Sequence, residues 1–192
     1  VGAELGGAYE FWENERFRAS ALTSFEEVLR VSYESAAMRI YLHATGSYDG
    51  RPNEDYPREF LELHTMGDVD LAGNPNYSND LDIQEITRLM KGAGTDKFSG
   101  KPIYSGDGHT LGSSADVTLF TTTNVPDFTT SIDSTFSGTT PAPTENMPSD
   151  IEALLQHVLD APQTRAFICA QLIEFFVGER PDVGDPLLND CL

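Results

Sequence analysis

Lysine is almost missing from this chain of 192 residues: Lys91, Lys97 and Lys101 are all there is, and 12 basic residues in total face 31 acidic ones, a formal net charge of −19. Phosphate binding needs clustered Lys and Arg that release counterions, so a nucleic-acid role is excluded. Anionic membrane surfaces are disfavoured for the same reason, whereas cations, basic protein partners and a saline exterior all suit such a surface. Long apolar runs are missing too. No stretch approaches the roughly 18 uncharged apolar residues of a spanning helix, so no transmembrane segment is expected. The first residues have neither a basic n-region nor an apolar h-region, so no signal peptide is expected within them. Cysteine is scarce: Cys169 and Cys191 fit no metal or redox spacing. They either close a loop of about 22 residues in an oxidising exterior, worth about 3 kcal/mol, or remain a buried thiol and a frayed terminal one. G-x-S-x-G, P-loop, Rossmann and H-E-x-x-H patterns are all absent, and no cofactor is expected.

What is present is helical periodicity. Hydrophobic residues make up 39% of the chain, enough for one domain spanning 1–192 with a sizeable core. The densest signal is Asn53 to Gly67. Asn53 or Asp55 can cap a helix there, Glu54 and Asp55 favour the positive end of its dipole, and Pro57 falls in the first turn. Tyr56, Phe60 and Leu63 share one face with His64 at its edge, Arg58 and Glu62 can pair on the far side, and Gly67 is placed as a left-handed C-cap.

Around it, Phe11 to Arg18 mixes aromatics with charge, with Trp12 as either a binding residue or the anchor of an N-terminal helix. Ser24 and Glu27 form a capping box for a helix running to about His43. A further helix is expected over about Leu81 to Met90. Pro148, Ser149 and Asp150 open another with Ile151, Leu154, Leu155 and Val158 on one face. After the break at Ala161 and Pro162, Thr164 to Val177 is apolar over so wide an arc that it is expected at the centre of the packing. Pro181 to Leu192 reads as a tail.

From about 91 to 150 the chain turns rich in Gly, Ser, Thr and Pro. Two β-prone runs, Val117 to Thr121 and Phe128 to Phe136, flank Asn124 to Asp127 and read as a local hairpin or as an extended arm. Thr139 to Thr144 reads as an extended linker. An insertion this long is expected to be functional or ordered by a surface, and an arm from Val117 to Phe136 that pairs with another subunit would make it a device for self-assembly.

Four constellations carry chemistry. Glu59, Glu62 and His64 form the one carboxylate and imidazole cluster, a candidate for hydrolysis with groups from elsewhere in the fold. Against that stands a structural network of Asn53, Arg58, Glu59 and His64 made of charge-assisted hydrogen bonds. Asp68 and Asp70 open a loop like a calcium site, but Ala72 and Asn79 stand where ligands belong, which speaks against a metal. Asn76-Tyr77-Ser78 is a formal glycosylation sequon.

The same residues carry a resemblance. Asn53-Glu54 followed by Arg58-Glu59-Phe60-Leu61-Glu62-Leu63-His64-Thr65-Met66-Gly67 resembles the signature N-E-N-[FY]-A-R-E-L-[LM]-E-L-H-T-L-G of the DUF1800 family, bacterial-type proteins of unknown function. Ala36 to Leu42 is similar to that family's P-A-M-L-x-Y-L, Tyr77-Ser78 with Asp82 to Ile86 to its Y-T-x-x-D-V-x-E, and Ala161 to Ile168 with Phe175-Phe176-Val177 to its H-P-x-T-A-x-F-I and later F-V. Pro57 departs from the usual Ala, Lys91-Gly92-Ala93 stands where T-G-W is usual, and the H-D-x-G-x-K element has no counterpart near Asn124 to Asp127. The resemblance covers most of the chain outside its middle and implies the C-terminal half of such a protein, a mature or cleaved piece. The expected fold is mainly α, an orthogonal helical domain with the hairpin or arm inserted. The expected function is a secreted, acidic, non-catalytic structural or interaction component at the cell surface or beyond, with other protein chains as partners. The alternative is an extracytoplasmic hydrolase built on Glu59, Glu62 and His64.

Overall fold

The computed structural model describes residues 3–47, 52–106, 116–133 and 144–192. Among them run eight α-helices and two two-stranded antiparallel sheets. The fold is mainly α.

Helix α1 (Ala3–Ser20) lies across α2 (Phe25–Glu34) and α3 (Ala36–Tyr41). Its buried anchor is Tyr9, which donates its hydroxyl to the Lys97 carbonyl at 2.7 Å. Trp12 is half-exposed and lies over Gly100, where a Cβ would meet Cζ3 at 2.8 Å. The single helix expected from Ser24 to about His43 is in fact two. Ser24 caps α2 through Glu27 N, but Ser35 turns extended (φ −62°, ψ 126°) and caps α3 by accepting from Met38 N. A serine hydroxyl that bonds forward along the chain competes with the helix ladder, and here it breaks the rod in two.

Helix α4 (Asp55–Glu62) follows after residues 48–51, which lie outside those described. Its buried face is Tyr56, Pro57, Phe60 and Leu61. Leu63, expected on that face, is 60% exposed. The reason is at the helix end: Leu63 is already the C-cap, and Met66 N and Gly67 N both bond back to Leu61 O, so the helix stops before it can hold Leu63 inward. Gly67 has the left-handed conformation expected of it (φ +73°).

Helix α5 (Asp82–Met90) leads into a hairpin that periodicity did not foreshadow, β1 (Ala93–Thr95) paired with β2 (Pro102–Tyr104). The expected hairpin is formed by β3 (Asp116–Leu119) and β4 (Phe128–Ser131), with Val117 opposite Thr130 and Leu119 opposite Phe128. It is no free arm. Val117, Leu119 and Phe120 are fully buried and the hairpin rests on α5 and on α6 (Ser149–Asp160), so its own helices supply the surface it needs. Of the two readings of this segment, the local hairpin packed on the chain's own helices is the one seen, with its apolar side inside the core. The linker expected at Thr139 to Thr144 lies outside the described residues except at Thr144, which bridges to Tyr104.

The start of α6 is tied by Asp133, whose carboxylate accepts from Ser149 N and Ser149 Oγ. Helix α7 (Pro162–Val177) begins with Pro at its first position and ends at the left-handed Gly178. The expectation that α7 is central to the packing fails. Of its side chains only Thr164, Cys169 and Ala170 are buried, while Phe175 and Phe176 are 80% and 77% exposed. The expected tail holds a further helix, α8 (Pro186–Cys191), bonded to α7 through Cys169–Cys191. Among the described residues no helix is long and apolar enough to cross a membrane.

Candidate functional site

Helices α3 and α4 leave a groove between them, lined by Tyr41, Leu42, Asp55, Arg58, Glu59 and His64 among others. Helix α3 ends at Leu42, and His43, in a left-handed turn (φ 57°), closes one end of the groove with its Nδ1 3.6 Å from Asp55 Oδ2. Tyr41 and Leu63 stand at the rim, both exposed.

The cluster Glu59, Glu62 and His64 is divided by this geometry. Glu59 and His64 line the groove. Glu62 faces the other side, where its negative charge, after burial itself, helps push the Tyr77 hydroxyl up to about 12. His64 is half-buried, and its Nδ1 has no hydrogen-bond partner among the described residues. Burial lowers its pKa from the ordinary 6.5, partly countered by the negative Glu13 nearby. The imidazole is therefore neutral near pH 7 and is a base by protonation state. An imidazole that works as a general base in hydrolysis is oriented by a third group and serves a nucleophile. Neither is placed at His64 by the described residues.

The expected network of Asn53, Arg58, Glu59 and His64 is likewise not a unit. Asn53 turns inward on its own loop, with its backbone N–H donating to Ser47 Oγ and its side chain bonded to Asp55 N and Asp55 Oδ2. Arg58 donates to Asn79 Oδ1 and lies 3.6 Å from Glu54, not against Glu62. Glu59 makes no side-chain bond to any of the other three among the described residues. Arg58 and Glu59 line the same groove, yet the Arg58 bonds go to Asn79 and Glu54 rather than to Glu59.

The fold also places the sequon and the acidic loop. Asn76 is 1% exposed and donates its Nδ2 to the Met66 and Gly67 carbonyls, so the nitrogen a glycan would need is used to hold the end of α4 in place. Asp70 accepts from Ala72 N, Asn74 N and Asn74 Nδ2, which makes its carboxylate the pin of a tight loop. The Asn74 side-chain bond first, and then the backbone bonds from Asn74 and Ala72, hold its pKa below the usual carboxylate value against the opposing effect of burial. Asp68 is exposed. Among the described residues no cluster of three or more His, Cys, Asp or Glu is assembled for a metal.

The buried polar centre of the molecule lies one helix away, at Arg39. It is 1% exposed, donates Nε to Tyr33 O, Nη1 to Gly94 O and Nη2 to the Tyr104 hydroxyl, and lies 5.0 and 5.2 Å from the ring centroids of Tyr33 and Tyr104. It ties α2 and α3 to both strands of the β1–β2 hairpin. One signal could have exposed it: Arg39 stands where P-A-M-L-x-Y-L has its leucine, in the middle of an apolar stripe, and a charge at a core position needs partners.

The motif segments thus meet in one body. The end of α4 at Gly67 touches Phe167 of α7, Asn76 bonds Met66 and Gly67, and Asp82 at the start of α5 bonds both Ser78 N and Phe120 N. Over residues 4–187 the chain matches the family model described as protein of unknown function (DUF1800). The chain belongs to the DUF1800 family. Neither the curated proteins nor the solved structures contain a match to it. Within this DUF1800 chain, the signature helix positions loops and packs the core, and Asp55, Arg58, Glu59 and His64 of its polar residues line the groove.

Proposed function

We propose that this DUF1800 chain is a non-catalytic, acidic interaction component of an assembly at the cell exterior. It docks through α7 on a protein whose apolar centre is rimmed by Lys and Arg. The observation that carries this reading is the outer face of α7, where Leu172, Phe175, Phe176 and Val177 are 48–80% exposed. Phe175 and Phe176 pack edge-on against each other at 5.0 Å with no core around them. Single exposed apolar residues are ordinary, but a contiguous aromatic patch is the usual mark of an interaction surface. Its surroundings include the exposed Glu174, Glu179 and Asp182, and Arg180 is spent on Glu174 at 3.6 Å. An acidic rim on a chain of net charge −19 repels a second copy and favours a basic partner. The bond between Cys169 of the same helix and Cys191 suits an oxidising exterior.

The second reading, an extracytoplasmic hydrolase, is favoured by one observation: Glu59 and His64 do open onto a groove. It lacks a placed nucleophile and an orienting partner for His64, so the docking reading stands ahead of it.

A photo-crosslinking residue at position 176, introduced in the source cell, tests the docking reading. A single partner is expected, one that binds the purified chain with an affinity that drops at least tenfold in Phe175→Ser and falls with rising salt. A crosslink to a second copy, reversible self-association in sedimentation, or an affinity indifferent to Phe175→Ser overturns it. Turnover on a panel of glycans or esters that is lost in Glu59→Gln promotes the hydrolase.

A further inference from the structure

A cavity of ≈ 350 Å³ runs along the inner side of α7, between the loop that follows α4 and the C-terminal segment that carries α8. That is the size of a small-molecule site. Its walls are Met66 and Leu71 of the loop, Ala166 and Phe167 of α7, and Leu188 and Leu192 of the C-terminal segment. The Cys169–Cys191 bond fastens that segment to α7, so the third wall is held covalently. At 100° per residue Ala166 and Phe167 face away from Leu172 and Phe176, which puts the cavity and the outer patch on opposite sides of one helix.

The two ends of the cavity differ. Asp70 and Gln163 both bond Asn124, Gln163 by donating Nε2 to its carbonyl at 2.8 Å, and so share one end. The Asp70 carboxylate is consumed there by Ala72 N, Asn74 N and Asn74 Nδ2, and Gln163 keeps a buried acceptor, Oε1, with no hydrogen-bond partner. Arg180 marks the other end. It pairs with Glu174, which stands about 16 Å further along α7 than Gln163. That pair is loose: at 3.6 Å, with both side chains 47% exposed, it contributes little, and the guanidinium retains donors for a second carboxylate. Of the other acids near Arg180 in the chain, Asp185 accepts from Leu187 N as the cap of α8. Glu179 and Asp182 are exposed, and a saline exterior screens their field within about 8–10 Å. A long apolar cavity with a cation at one end matches an alkyl chain that ends in an anion.

We propose that this cavity binds a medium-chain carboxylate, with its head on Arg180 and its alkyl chain against Met66, Ala166 and Phe167. Burial of the chain supplies the affinity, and the charge-assisted bond to Arg180 supplies the choice of head group. The site does not depend on what docks on the outer face of α7.

Calorimetric titration of the purified chain with decanoate and with decanol, in about 0.15 M salt, tests the proposal. Decanoate is expected to bind at a single site and raise the melting temperature, and decanol to bind about tenfold more weakly. Arg180→Gln is expected to bring the two ligands within about twofold of each other. Ala166→Trp fills the cavity and is expected to abolish binding. Val183→Asp, at a 68% exposed position on the mouth, puts a carboxylate in the path of the chain and is expected to weaken decanoate about tenfold without risk to the fold. Phe175→Ser, on the outer face, is expected to bind as the unaltered chain does. No binding of decanoate, equal affinity for decanol, a preference that survives Arg180→Gln, or an affinity undiminished in Val183→Asp each overturns the proposal. Binding lost in Phe175→Ser but kept in Ala166→Trp overturns it too, as adsorption on the outer patch. If Ala166→Trp does not fold, Val183→Asp and Arg180→Gln decide.

Discussion

Gly67 and Phe167 touch so closely that no side chain fits between them. A Cβ built on Gly67 would lie 2.7 Å from Cδ2 and 2.8 Å from Cε2 of the ring, and the glycine also has φ +73°. The last residue of the signature helix segment is therefore the seat of the long C-terminal helix. The two parts of the chain that carry the family resemblance are coupled through this contact.

Gly67→Ala is expected to cost about 2–4 kcal/mol, combining left-handed strain with overpacking against Phe167. Gly73 has φ +85° but nothing within 4 Å of a built Cβ, so Gly73→Ala isolates the strain. It should cost only about 1–2 kcal/mol. Urea melts of the two variants check the difference. Equal losses would mean that the ring simply moves aside.

Arg39→Lys is expected to destabilise by about 3 kcal/mol although it preserves the charge, because an ammonium cannot serve Tyr33 O, Gly94 O and the Tyr104 hydroxyl with one planar fork. The same exchange at the half-exposed Arg58 should change stability by less than about 1 kcal/mol. Thermal denaturation of both lysine variants distinguishes the buried network from the surface one.

His64 has its pKa lowered by burial from the ordinary 6.5. The unfolded chain therefore binds a proton that the folded chain resists, so this contribution to stability is fully present above pH 6.5 and is lost as pH falls from there through the folded value. His64→Gln removes that slope. Melting temperatures at pH 7.5 and 5.5 are expected to differ less in the variant than in the unaltered chain.

Reduction of Cys169–Cys191, or Cys191→Ser, is expected to cost about 3 kcal/mol from the loop of separation 22 that the bond closes. That corresponds to a drop of roughly 6–12 °C in melting temperature, measured by calorimetry with and without reductant. Helix α8 is held to α7 by this bond, and helical circular dichroism should fall slightly at the same time.

Leu119→Ala is expected to destabilise by about 2–5 kcal/mol, the ordinary cost of truncating a fully buried leucine. The hairpin is core, so removing Val117 to Phe136 should unfold the helices around it. Intact helical circular dichroism after that deletion would restore the idea of a separable arm.

Local patterns settled a good deal by themselves. The helix at Asp55–Glu62, the helix at Asp82–Met90, the turn-flanked hairpin of β3 and β4 and the glycine ending at Gly67 all rest on interactions within a few residues, and the family membership rests on motif strings. Contacts between distant parts decided the rest. Periodicity says that α7 is apolar all round, but not whether this chain has enough surface to cover it, and the fold leaves Phe175 and Phe176 outside. Ser35 could extend a helix or cap a new one, and only the packing of α2 and α3 against α1 chooses. Arg39 reads as one more surface charge until Tyr33, Gly94 and Tyr104 arrive from three other elements to satisfy it. Glu59 and Glu62 lie three residues apart on one helix, yet the groove receives Glu59 alone because α3 and Tyr77 approach α4 from different sides. Short-range hydrogen bonds and steric limits are written residue by residue, whereas burial is a property of whichever partners the tertiary fold brings to a given face.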